Sequence, residues 1–141
     1  MKKILVATDG SENAERTLLE AKEYAKCTDG EVTIITVVDT LVTRPYPTVE
    51  YHTIGDNEEL ESVGESVLEK SMEAFEDFDG EVSTKLRRGD PADQIIKEAN
   101  ENDFDIIFMG SRGLGTFTRT ILGSVSSKVL NHSKKNVMVV K

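Results

Sequence analysis

Gly110, Gly113, Gly115 and Gly123, the last followed by Ser124, punctuate the stretch "GSRGLGTFTRTILGS", which comes straight after the apolar run "DIIFM". Glycine loses more conformational entropy on folding than any other residue, so a cluster of it after a strand implies left-handed turns or close approach to the backbone. N–H groups in such a turn, and at the start of the helix that follows, turn positive partial charge outward and suit an anion. Gly110 and Gly113 would supply the first set of donors, and Gly123, Ser124 and Val125 the second. The Ser124 hydroxyl has two uses open to it: a bond to a phosphate oxygen, or the N-cap of its own helix. Arg112 and Arg119 carry positive charge that either meets phosphate or stays solvated.

The common phosphate loops do not fit. A P-loop needs Gly-Lys-Ser/Thr, and no Gly-Lys pair occurs in the chain. A dinucleotide fingerprint follows the first strand with G-x-G-x-x-G, whereas "GLGTFT" lacks the third glycine and follows a later strand. Nucleophilic catalysis finds no support either: Ser111 is not in a G-x-S-x-G elbow, and His52 and His132 lie far from any predicted serine nucleophile. Asp9, in "ATDGS", is the one carboxylate placed to reach the glycine stretch, and it could instead cap the helix after it.

The elements that would position these residues alternate in period. "KILVAT" (Lys3 to Thr8), "EVTIITVV" (Glu31 to Val38), "EVSTKLRR" (Glu81 to Arg88), "DIIFM" (Asp105 to Met109) and "NVMVVK" (Asn136 to Lys141) are short and rich in β-branched residues, as strands are. Ala14, Leu18, Ala21 and Ala25 recur at helical spacing, as do Leu60, Val63, Val67, Ala74 and Phe78. In "GDPADQII" Asp90 caps a third helix, Pro91 takes its first position and Asp93 completes a pair like a capping box. A fourth helix runs from Gly123-Ser124 to about Asn131, with Ile121, Leu122, Val125 and Val129 turned inward. Strand and helix in alternation predict an open doubly wound α/β domain, with a five-stranded parallel sheet in the order 3-2-1-4-5 and helices on both faces. Ligands of such sheets bind beyond the carboxyl ends of the strands where strand order reverses, and "ATDGS" and "MGSRG" both fall at strand ends. Asp39 to Asn57 is one long irregular segment with two prolines.

Composition bounds the possibilities. A chain of 141 residues is expected to form one domain over residues 1–141, and its one cysteine, Cys27, cannot make an internal disulfide. The basic start "MKK" leads into an apolar run that meets Asp9 too early for a signal peptide, and no run approaches the length of a membrane span. The expectation is a cytoplasmic protein. With 17 Lys+Arg against 26 Asp+Glu the net charge of −9 opposes nucleic acid and anionic membranes, so a phosphate-bearing ligand must be held by local geometry.

The spacing Gly110-x2-Gly113-x9-Gly123-Ser124 resembles the nucleotide loop of the universal stress protein family. The resemblance runs from end to end, through "KKILVATDGS", "VVD" closing the second strand, "GDPADQI", "DIIFMGSRG", "LGSVSSKVL" and the final "NVMVVK". It implies that Asp9 and Val37 contact adenine, that Met109 and Gly110 lie along the nucleoside, and that Gly113, Gly123, Ser124, Val125 and Ser126 hold the phosphates, with Arg112 nearby. It also implies ATP, with Mg2+, as the ligand, because the family's ATP-binding members retain this loop. Family members commonly dimerise by pairing the last strand antiparallel, here Val137 to Val140, which would sit at an open sheet edge. Three function classes stay open at this point: a nucleotide-binding regulatory module with an unknown protein partner, an ATP-dependent enzyme, and a structural stress protein with an empty cleft. Binding without efficient turnover is the expectation, and slow hydrolysis is compatible with it.

Overall fold

The computed structural model describes residues 1–39, 57–112 and 123–141. Five strands, β1 (Lys3–Ala7), β2 (Glu31–Val38), β3 (Val82–Arg88), β4 (Ile106–Gly110) and β5 (Asn136–Val140), form one parallel sheet in the order β3-β2-β1-β4-β5. Among the described residues four α-helices connect them, α1 (Glu12–Thr28), α2 (Asn57–Met72), α3 (Pro91–Glu101) and α4 (Ser124–His132), with a short 3-10 turn at Glu73–Phe75 after α2. The doubly wound expectation and its strand order hold.

Alternation along each strand divides the core. Ile4, Val6, Ile34, Ile106 and Phe108 face α1 and α2, joined by Leu18, Ala21, Ala25, Leu68 and Phe75. Leu5, Ile35, Ile107 and Met109 face the other way, against Ala92, Ile95 and Ala99 of α3 and Val129 of α4. β1 and β4 are buried almost throughout, which is why their sequences read as unbroken apolar runs.

The expected stripe of α2 holds in part: Ala74 and Phe78, just beyond the helix end, pack against the core, but Leu60 and Val63 do not. Val63 is 58% exposed and Leu60 37%, while Gly64, Leu68, Ser71 and Phe75 turn to the sheet. Glycine explains the rotation. A Cβ at position 64 would stand 2.7 Å from Leu86 Cδ1 and 3.2 Å from Val38 Cγ2, so the helix lies closest to β2 and β3 at the residue with no side chain. At α3 the local reading holds: Asp90 Oδ2 accepts from the Asp93 N–H at 3.0 Å, and Pro91 opens the helix. The Asp93 carboxylate, however, does not complete a capping box; it pairs with Lys128 of α4 at 3.0 Å.

Candidate functional site

Strand order reverses at β1, between β2 and β4, and the carboxyl ends of these three strands carry most of the residues singled out above. After β1 the chain turns in "TDGS". The Thr8 N–H donates to Ile35 O at 2.9 Å, and the Thr36 hydroxyl donates to Thr8 O at 2.8 Å, so β2 grips both main-chain groups of Thr8. Gly10 has φ of +83°, a left-handed conformation that suits glycine. Asp9 Oδ1 accepts from the Ser11 N–H at 2.9 Å, and the Ser11 hydroxyl accepts from the Ala14 N–H at 3.2 Å. Ser11 is therefore the cap of α1. Asp9, two residues earlier, organises the turn and is half-buried at the strand end.

Val37 and Met109 lie on the same sheet face as Ala7 and Val125; Met109 is buried, and Val37 and Val125 are half-buried. They give the crevice an apolar floor. Arg87, level with Val37 on β3, is committed elsewhere: it donates to Glu98 at 2.8 Å, Gln94 at 3.1 Å and Glu101 at 3.0 Å.

The exit of β4 is held group by group. The Ser126 hydroxyl donates to Gly110 O, the Ser111 N–H donates to Val140 O at 2.8 Å, the Gly123 N–H donates to Ser111 O at 2.7 Å, and the Arg112 N–H donates to Asn13 Oδ1 at 3.1 Å. Ser111 and Gly123 are thus brought together, and α4 starts beside the end of β4. Two roles change as a result. Gly123, not Ser124, is the N-cap of α4, and as a glycine it brings no capping side chain of its own. The Gly123 N–H and the Ser126 hydroxyl are already engaged within the protein, and the first-turn N–H groups of Ser124, Val125 and Ser126 precede the first helical bond, from the Ser127 N–H to Gly123 O. Gly123 has φ −59° and ψ 156°, so its backbone is not left-handed.

Arg112 and Ser124 are exposed beside this terminus, and Lys128, one turn into α4, is bound to Asp90 and Asp93 at 3.0 Å each. Asp93 and then Asp90 push the Lys128 ammonium above its ordinary pKa. The Asp93 N–H, followed by Lys128, lowers that of the Asp90 carboxyl. This bridge ties the N-termini of α3 and α4 together. Gly113, Arg119, Ile121, Leu122 and His52 lie outside the described residues, and His132 is exposed at the far end of α4. Among the described residues no group of three His, Cys, Asp or Glu could hold a metal ion, and no helix is long and apolar enough to cross a membrane.

One residue of the site had no place in the sequence reading. Asn13, in the first turn of α1, is 6% exposed; besides accepting from Arg112 it donates Nδ2 to Val140 O at 3.1 Å. Its only local signal is the polar pair Asn13 and Thr17 beside Ala14 and Leu18, and Thr17 returns a hydrogen bond to Asn13 O at 2.8 Å.

The sequence profile of the Universal stress protein family matches residues 1–141. A Staphylococcus haemolyticus protein named for that family is 34% identical over 142 residues, which cover 99% of this chain and 84% of that one. The solved structure of the protein MJ0577 superposes with a TM-score of 0.83 at 34% identity, covering 99% of this chain and 95% of that one. Two further structures share the fold at 23% identity. One is a universal stress protein in complex with cAMP, with a TM-score of 0.74 over 99% of this chain and 97% of that one. The other is the Archaeoglobus fulgidus protein in complex with dAMP, with a TM-score of 0.75 over 100% of this chain and 98% of that one.

Proposed function

The chain belongs to the universal stress protein family, and from that membership we propose that it is a regulatory module of the stress response that binds adenine nucleotide, with ATP and Mg2+ as its ligand. The observation that carries this reading is the start of α4: a helix terminus whose glycine cap brings no side chain of its own, set beside the carboxyl end of β4, the neighbour of β1. First-turn N–H groups there have no intrahelical partner and suit phosphate oxygens. The half-buried apolar wall at Val37 suits a base, Asp9 keeps one carboxylate oxygen beyond its turn bond for the adenine edge, and Met109 and Gly110 line the path between. Ser124, Val125 and the Ser126 N–H hold phosphate, with Gly113 and Gly123 leaving room for it and Arg112 adding charge. Family members that hold cAMP and dAMP support the adenine class. Mg2+ would travel on the phosphates.

Phosphoryl transfer needs a positioned nucleophile and stabilisation of the leaving group, and Asp9 alone does not provide both. Binding with little or slow hydrolysis follows, as does one domain working in the cytoplasm, where ATP is found. Calorimetry with ATP and Mg2+ should give a dissociation constant in the micromolar range or tighter. At 100-fold excess over that constant ATP should stabilise the fold by about 2.7 kcal/mol, a rise in melting temperature of roughly 5–10 °C. Folded protein with no heat and no shift at millimolar ATP would return it to the empty-cleft class, and several turnovers per minute without a partner would favour an enzyme.

A homodimer through β5 is part of this reading. β5 is an edge strand, Met138 is 44% exposed, and an apolar groove lined by Tyr24, Cys27, Phe108, Met138 and Val140 runs beside it. Val140 O points inward to Ser111, so alternation turns the main-chain groups of Val137 and Val139 outward, unpaired unless a second chain adds to them. Sedimentation should find a dimer at micromolar concentration and a shift toward monomer in Val139→Pro, which removes an outward donor. A monomeric parent protein at that concentration would sink the claim.

A further inference from the structure

Two segments far apart in sequence meet at one side chain. Val140 O, at the end of β5, accepts from the Ser111 N–H and from Asn13 Nδ2, while Asn13 Oδ1 takes the Arg112 N–H. The orientation of this amide is fixed by its partners, because a carbonyl only accepts and a backbone N–H only donates. The Thr17 hydroxyl donates to the main-chain O of Asn13, and the Asn13 side chain fills the space where Gly110 would carry a Cβ, 2.0 Å from Oδ1. Arg16 adds a longer bond, Nε to Lys141 O at 3.4 Å. One face of the first turn of α1 thereby touches both the start of the glycine-rich stretch and the last residues of the edge strand.

We propose that Asn13 is a positioning residue that joins the exit of β4 to the end of β5, so that order at the nucleotide site and order at the sheet edge rise and fall together. The physical reason lies in the chemistry of the amide. Only a short side chain with one donor and one acceptor on the same carbon satisfies the Arg112 N–H and Val140 O at once, and its loss strands the Arg112 N–H and leaves Val140 O with the Ser111 N–H alone. The coupling is reciprocal, as any coupling between binding events must be: nucleotide that fixes the 110–112 backbone protects β5, and a partner strand on β5 favours nucleotide. The affinity half of this inference rests on the adenine-nucleotide reading above; the structural half does not.

Amide hydrogen exchange on the full-length protein separates the two. In Asn13→Ala without nucleotide, exchange at Ser111, Arg112, Met138 and Val140 should rise together by about tenfold or more relative to β2 and α3, since two lost hydrogen bonds, one of which strands the Arg112 N–H, amount to at least that factor. Ile95→Val, a truncation in the core on the other face, serves as the control for stability: its exchange should rise without that local excess. Asn13→Asp keeps the acceptor for Arg112 and loses the donor to Val140, so 110–112 should stay protected while the end of β5 does not. Excess exchange at only one segment in Asn13→Ala, or a uniform rise matching the control, would overturn the junction. ATP affinity should also fall about tenfold in Asn13→Ala and hold in Ile95→Val. Unchanged affinity with the expected exchange overturns the coupling to nucleotide, and a parent protein that binds no ATP overturns the nucleotide reading while the exchange data still decide the junction.

Discussion

Gly110→Val is expected to destabilise the protein by about 3 kcal/mol, near the upper end for an overpacked core, and to lower its melting temperature by roughly 10 °C. The added Cβ would stand 2.0 Å from Asn13 Oδ1 and 2.8 Å from Asn13 Cγ, with Thr17 Oγ1 at 3.4 Å, before the two further methyls are considered. Asn13 has no easy retreat, because moving its amide breaks bonds to Arg112 and to Val140. Nor can β4 shift alone, since Gly110 is in register with Val140 on β5. Nucleotide affinity should fall in parallel, because the damaged junction is also the start of the glycine-rich stretch. Adding Asn13→Ala opens the space the valine needs, so the double variant should be more stable than the two single losses add up to, by on the order of 1 kcal/mol. Thermal or denaturant unfolding measures this. A Gly110→Val protein that melts within two or so degrees of the parent, allowing about 2–4 °C per kcal/mol, would refute the packing account.

At Gly123→Val the expected loss lies in binding. With φ −59° and ψ 156° this position is ordinary extended backbone, where valine fits without left-handed strain. Replacing a glycine cap by a β-branched residue should cost the fold about 1 kcal/mol. On the proposed adenine-nucleotide reading, the added side chain would crowd phosphate beside the Ser124 and Val125 N–H groups. Losing two charge-assisted hydrogen bonds corresponds to affinity lower by on the order of 100-fold. Calorimetry beside thermal melts reads both quantities, and losses of similar size in stability and in binding would make Gly123 a turn residue with no special ligand role. The contrast with Gly110 is instructive. One glycine is required by a neighbouring side chain inside the protein, the other by what the helix terminus is proposed to hold, and the sequence displays them alike.

The order of strands and helices, the parallel sheet and the start of α3 were legible in the sequence because each leaves a local record: β-branched apolar runs for buried strands, a 3.6-residue period for helices, and Asp90 and Pro91 for a helix start. The glycine spacing and the matches along the whole chain pointed to the family for the same reason, since a loop that must turn and leave room writes its glycines at fixed intervals. The face of α2 was legible only in part: Ala74 and Phe78 pack as expected, Leu60 and Val63 do not. Val63 and Leu60 fit a helical stripe as well as Gly64 and Leu68 do, and only the close approach to Leu86 and Val38 decides that the glycine turns inward. The cap of α4 was undecided between two uses of Ser124, and the fold assigned the cap to Gly123, because Ser111 reaches its N–H only once β4 and α4 stand side by side. Asn13 was invisible, since its partners are 99 and 127 residues away and its value comes from where the sheet brings the ends of β4 and β5. Periodicity reports what a residue does for its own element; the pairing of a buried amide with two distant main-chain groups depends on strand order and register, and these exist only in the folded chain.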